Sequence, residues 1–176
     1  MKCKLSSVFL FLIAALASCD HYMKIHPVEL QDGMYAIDRH GLVKDYAPDL
    51  SGNKVYTYLM KTSCLITWFG HTPHGKIDQI IAENPEWVFL TYVEGAPEDS
   101  TFVRSTLDHY DCDFPVILDT KGGFRKRNPF MDNMALWGGI CNKRGEVLGA
   151  SVVGDSMSFF DSEFEKAKRI MRRYGK

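Results

Sequence analysis

Cys64 stands just beyond Val55-Tyr56-Thr57-Tyr58-Leu59-Met60, an aromatic and β-branched run that reads as a buried strand. Leu65-Ile66-Thr67-Trp68-Phe69 follows it, so a helix can begin at the thiol. A cysteine at such a junction is favoured as the nucleophilic thiolate, because free N–H groups and the helix dipole stabilise negative charge. Thr67 occupies the place where a second cysteine would complete a C-x-x-C pair. A dithiol exchange cycle needs an attacking and a resolving thiol, and threonine cannot resolve. These residues allow a single nucleophilic thiol with Thr67 donating its hydroxyl toward it. They also allow a small, partly buried cysteine without turnover.

The other residues with chemistry to offer are weaker candidates. Cys112 lies between Asp111 and Asp113, two acids that raise a thiol pKa. Cys141 ends an expected hairpin strand and reads as a core or edge residue. A Cys112–Cys141 disulfide is conceivable, but nothing in the sequence supports it. His71, His74 and His109 invite a metal reading, yet Pro73 separates the first two and no third ligand is adjacent. Polar loop residues are the preferred reading, and neither a metal nor a cofactor is expected. Lys121 to Arg127, KGGFRKR, holds four bases and one aromatic. It reads as a solvated loop before it reads as a phosphate or headgroup contact. Trp68, Phe69 and Trp137 are core aromatics that can also wall the Cys64 site.

A chain of 176 residues, 45% hydrophobic and 24% charged, suits one domain with an appendage. Lys2 and Lys4 precede an apolar run from Leu5 to Leu16, too short for an ordinary membrane span. Leu16-Ala17-Ser18-Cys19 closely resembles the bacterial lipoprotein box. That resemblance implies cleavage before Cys19, acylation of its sulfur and new amino group, and attachment to a membrane without a spanning helix. The competing reading is a plain signal peptide, or a short anchor that merely contains a cysteine. The expected division is a signal over 1–18, a lipidated tether over 19–32 and a folded domain over 33–176, in the bacterial cell envelope facing the periplasm or exterior. Loss of Lys2 and Lys4 with the signal leaves 19 basic against 22 acidic side chains, a net charge near −3. Nucleic-acid binding is not indicated.

The elements that must position Cys64 follow in order. Asp20 to about Pro27 reads as a polar tether. Gly33–Asp38 and Gly41–Tyr46 read as paired short strands, and PDLSGNK at 48–54 as a turn-rich link. After the thiol, one short helical turn and a kink at Gly70–Pro73 lead to a helix from about His74 to Glu83, striped by Ile77, Ile80 and Ile81. Trp87–Val93 is apolar throughout, as in a strand covered on both faces. A helix from Asp99 to about Tyr110 and a strand at Phe114–Leu118 come next, then an irregular or weakly helical stretch from Phe124 to Asn133. Ala135–Cys141 and Glu146–Val153 form a hairpin through Asn142-Lys143-Arg144-Gly145. Phe160, Phe164, Ala167, Met171 and Tyr174 mark one face of a final helix. Strand-helix alternation predicts parallel strands, an antiparallel hairpin at one side and helices on both faces.

This order, with a cysteine after the central strand, resembles the thioredoxin fold, and within it the TlpA-like redoxins of lipoproteins and periplasmic proteins. The resemblance runs from about Leu50 to Tyr174. Asp49-Leu50-Ser51-Gly52-Asn53-Lys54 is similar to the lead into the central strand. Phe114 to Asp119 is similar to the strand before a D-x-x-G turn, and Ile140 to Leu148 to the D-K-x-G-x-V/I hairpin. It implies an α/β three-layer sandwich with a mixed central sheet, with Cys64 as first catalytic cysteine and Thr67 in the second place. The sequence departs from the pattern twice. Thr67 replaces the second cysteine, and Met134 to Gly139 lacks the family's cis-proline. Pro129 lies several residues too early. The peroxiredoxin pattern P-x-x-x-[ST]-x-x-C is absent as well, with Tyr56 and Met60 at its first two places.

Two functions follow. One is a membrane-anchored monothiol redox protein that forms mixed disulfides with a protein or a glutathione-like thiol. The other is a redox-inactive module that keeps the scaffold to bind a protein or ligand. The missing cysteine and proline weigh toward the second.

Overall fold

A computed structural model describes residues 23–133, 137–154 and 156–174. The expected signal, Cys19, the start of the Ala135–Cys141 strand and Asp155 lie outside them. The central run forms β3, Asn53–Leu59. It pairs in parallel with β4, Trp87–Glu94, and antiparallel with β6, Gly138–Cys141. β5, Val116–Asp119, adds in parallel to β4. β1, Met34–Asp38, lies antiparallel on β5, and β2, Gly41–Leu42, on β1. β7, Val147–Gly149, pairs with β6, giving the order β2-β1-β5-β4-β3-β6-β7.

Five α-helices fall among the described residues: α1, Cys64–Gly70; α2, Lys76–Glu83; α3, Ser100–His109; α4, Gly123–Arg127; and α5, Met157–Tyr174. α1 is nearly two turns long where one was expected. α2 starts two residues later than expected, after Gly75, whose φ of 67° is left-handed and open to glycine without strain. The stretch from Phe124 to Asn133 is more ordered than its composition implies, holding most of α4 and a 3₁₀ turn at Pro129–Asp132. β5 begins at Val116, beyond Pro115, which has no N–H to give a ladder.

Alternation along β3 divides the core. Val55 and Leu59 join Phe89, Val93, Val116, Leu118 and Ile140 on one face, under α1, α2, α3 and α5. Tyr56 and Tyr58 join Leu90, Tyr92, Ile117 and Cys141 on the other, against Phe124 of α4, Met131 and Ile25. Helices thus cover both faces, but unequally. The steps β3 to β4 to β5 move in one direction, and same-handed crossovers then place their helices on one face.

The turn before α4 explains how that short helix holds. Buried Asp119 accepts the Phe124 amide at 2.8 Å and the Lys121 amide at 3.3 Å, and Gly122 takes a left-handed φ of 62°. β6 shows why glycines open it. A Cβ on Gly138 would fall 2.6 Å from Val152 Cα, and one on Gly139 2.5 Å from Tyr56 Oη.

The N-terminal stretch is docked where it was expected to be a tether. Lys24 forms an isolated antiparallel backbone pair with Glu146, Ile25 donates its amide to the Gly145 carbonyl at 2.8 Å, and the Ile25 side chain is 2% exposed. Asn128 accepts the His26 amide at 2.8 Å and donates to its carbonyl at 2.9 Å. Apolar Ile25 finds a site beside Tyr56 and Phe124, which overrides the polar character of its neighbours.

Candidate functional site

β3 ends at Leu59, and Lys61–Ser63 turn the chain into α1, whose first residue is Cys64. The helix begins there because Leu65, Trp68 and Phe69 bury one face in the core. The adjoining stripe carries Cys64 and Thr67, and His71 follows at the helix end. With Leu59, Trp68, Trp137 and Val152 they line a groove of about 350 Å³. Cys64 is half-buried, and Thr67 and His71 are exposed. Met60 and Ile66, 42% and 48% exposed, leave apolar surface on either side of the thiol in sequence.

Packing fixes both walls. Trp68 donates its indole N–H to the Val153 carbonyl and packs on Phe69 at 4.7 Å. Thr72 donates to the Trp68 carbonyl at 3.2 Å. Trp137 donates to the Met131 carbonyl at 3.1 Å and meets Tyr58 edge-on at 6.2 Å. Behind it, the Tyr58 hydroxyl donates to Glu94 at 2.8 Å, and Arg125 donates to the same oxygen at 2.8 Å. Burial, then that carboxylate, pushes the Tyr58 phenol pKa up.

The helix start itself differs from expectation. The Cys64 amide donates to the Lys61 carbonyl and the Leu65 amide to the Thr62 carbonyl, each at 3.0 Å. These two N–H groups are therefore already engaged. Among the described residues no hydrogen bond joins Thr67 to the sulfur. The groove brings together Cys64, Thr67, Trp68 and Trp137, but not Phe69, the other aromatic offered as a wall, which is buried in the core. His71 was missed as a lining residue. It follows the helix end at Gly70, in the stretch the sequence reads as a kink.

The remaining candidates fall away from this groove. Cys112 and Cys141 are free thiols, so the conceivable disulfide between them is absent. They sit in core clusters on opposite faces of the sheet. Burial pushes the Cys112 thiol up to about 12, with Asp78 adding more than Asp113. Burial pushes Cys141 up to about 12 as well, against the nearby Lys54 ammonium. Among the described residues no cluster of His, Cys, Asp and Glu is arranged to hold a metal. His74 and His109 lie 6.3 Å apart, exposed on the α2–α3 side, while His71 faces the groove. The bases of KGGFRKR are partly neutralised: Lys121 pairs with Asp32, and Arg125 with Glu94 and Asp132.

The raised thiol pKa values set a pH limit on stability. The neutral thiol is the form the fold favours, so this contribution is complete below about pH 9. It is lost as pH rises toward 12. At about pH 10.5 the unfolded chain ionises both thiols and the folded chain largely neither, costing about 2 kcal/mol per thiol. Lys54 acts the other way, since burial lowers its pKa and disfavours its charged form. Urea midpoints should fall between about pH 7.5 and 10.5, and fall less in a Cys112→Ala/Cys141→Ala variant.

No protein-family model and no curated protein sequence matches the chain. Among solved structures, a thioredoxin-like protein in its oxidised form matches with a TM-score of 0.52 at 9% identity, over 83% of this chain and 95% of its own. An uncharacterised thioredoxin-like protein of Porphyromonas gingivalis matches at 0.49 and 13% identity, over 84% and 94%. A secreted disulfide oxidoreductase of Mycobacterium tuberculosis, homologous to DsbE of E. coli, matches at 0.43 and 17% identity, over 67% and 82%. At such identities the likeness is one of fold, and the fold is thioredoxin-like.

Proposed function

We propose, with the thioredoxin-like fold as premise, that this is a lipid-anchored envelope protein whose Cys64 exchanges disulfides as a single thiol. The observation that carries the reading is position. Of the three described thiols, Cys64 alone is not fully buried, and it lines a groove at a strand-to-helix junction. The Cys64 thiolate attacks one sulfur of a partner disulfide. A Cys64–partner disulfide forms, and the partner's other sulfur leaves as a thiolate. A second thiol from solution or from the partner then attacks the mixed disulfide and releases Cys64. Thr67, exposed on the same groove, donates its hydroxyl to the thiolate as it is released. The anchor reading rests on the order of Lys2 and Lys4, the apolar run and the LASC box, with Cys19 as acylated residue.

One observation favours the redox-inactive module instead. The engaged amides of Cys64 and Leu65 leave less stabilisation for a thiolate than an open helix start. Oxidised glutathione separates the two. The expected result is a mass gain of one glutathione on Cys64, absent in Cys64→Ser and reversed by excess dithiothreitol. A chain that stays unmodified, with Cys64 still alkylated on unfolding, leaves only the binding module.

A further inference from the structure

The described chain enters the fold at the end of the sheet remote from Cys64. The Met23 carbonyl accepts the Val147 amide at 2.9 Å. Val147 pairs with Cys141, and Cys141 with Lys54 near the start of β3. Cys64 lies beyond Leu59, and the strand between Lys54 and Leu59 rises roughly 17 Å. Four peptide steps separate Met23 from Cys19, a reach of at most roughly 14 Å.

The last turns of α5 lie at this same end. Phe164 meets Trp87 at 4.9 Å, and Lys168 donates to Asn84 at 3.2 Å, just before β4 begins. Beyond them Arg169, Arg172 and Arg173 are exposed and form no ion pair among the described residues. Tyr174 is 68% exposed, with the Arg173 guanidinium 5.3 Å from its ring. Lys24 and Lys143 are exposed at the chain entry and the β6–β7 turn. Of the acids here, Glu146 pairs with Arg144, Glu165 pairs with Lys168 and also faces Arg172 and Arg169, and Asp49 faces Lys54 and Lys143. Glu83 and Glu86 stand on the α2–β4 corner. The basic character is local, because the chain beyond residue 18 is net acidic.

We propose that this end, with Arg169, Arg172 and Arg173 at its centre, rests against an anionic lipid surface and turns the Cys64 groove toward water. The inference depends on the Cys19 anchor. An acyl anchor and a basic patch together bind a bilayer more firmly than either alone, and the patch acts only within a Debye length of the lipid. The groove's partner is then a thiol or disulfide of the aqueous phase.

The test uses the acylated full-length chain in vesicles of phosphatidylcholine, with or without about one-third phosphatidylglycerol. A fluorophore is placed on Tyr174→Cys in a Cys64→Ser background, or on Cys64 itself. Iodide quenching at position 174 should fall about threefold in the anionic vesicles and recover in high salt. Arg169→Gln/Arg172→Gln/Arg173→Gln should abolish the difference, while the Cys64 fluorophore stays equally quenched in both vesicles. Equal quenching at 174 in both vesicles, or shielding at Cys64, overturns the proposal. Flotation reads the anchor separately. A chain that floats with either vesicle but shows no anionic dependence loses the patch and keeps the anchor, and one that floats with neither loses both.

Discussion

Under native conditions at about pH 8, iodoacetamide should label Cys64 and leave Cys112 and Cys141 unlabelled, and Cys64→Ser should remove the uptake. The gap is set by burial, which acts in two ways. Cys112 is 2% exposed and Cys141 0%, so reagent reaches them only when the structure opens. Their thiols are also pushed up to about 12. At pH 8 that leaves about one molecule in ten thousand as the reactive thiolate at each. A rate gap of at least about a hundredfold follows. It should close in urea, where the three thiols become alike. Mass spectrometry of alkylated peptides against time reads all three at once. Rapid native labelling of Cys112 or Cys141 would mean that the core around them is not packed as described.

The second large effect is on stability. Phe124→Ala should cost about 3–5 kcal/mol, read as a shift in the urea midpoint. The Phe124 ring is fully buried, stacked on Tyr92 at 3.9 Å and within 6.4 Å of Tyr56 and 5.9 Å of Tyr58. It is the apolar anchor of α4, a helix of five residues with little stability of its own. Removing it leaves a cavity among three tyrosines, of which Tyr58 is committed to Glu94 and Tyr92 to the Val28 carbonyl at 3.1 Å. Phe124→Leu should cost clearly less. Labelling of Cys64 in the still-folded population should hardly change, because α1 packs on the opposite face of the sheet. A variant that loses Cys64 selectivity along with stability would show that the two layers are not separable in this way.

Much of this arrangement could be read from residues alone. The runs at 55–60 and 87–93 are apolar and β-branched, and they became the two central parallel strands. The groove at Cys64 was legible because a strand, a thiol and a helix-forming run follow one another within a few residues. Trp68 was legible as a wall because it lies four positions from Cys64 on one helix. Trp137 was named only as a core aromatic able to wall the site, since its contact with the groove is set by pairing across the sheet.

What escaped the sequence depends on tertiary contacts. The tether from Asp20 reads as polar, and only the pocket beside Tyr56 and Phe124 shows why Ile25 docks there. α4 reads as a loop because Gly122, Gly123 and three bases break its pattern. Its order comes from Asp119 capping Phe124 and from the tyrosine layer. The amides at the start of α1 look free in sequence, and the Lys61–Ser63 turn engages two of them. The paired state of Lys121 and Arg125 was likewise invisible, because Asp32 and Glu94 are distant along the chain.

The central claim is that Cys64 takes and releases disulfides in the cell. The most direct measurement is to quench cells in acid, alkylate the free thiols and isolate the full-length chain. The linked species is then resolved with and without reductant. The account predicts a reducible adduct on Cys64 that is lost in Cys64→Ser. Complete alkylation of Cys64 with no adduct, under both oxidising and ordinary growth, would contradict it.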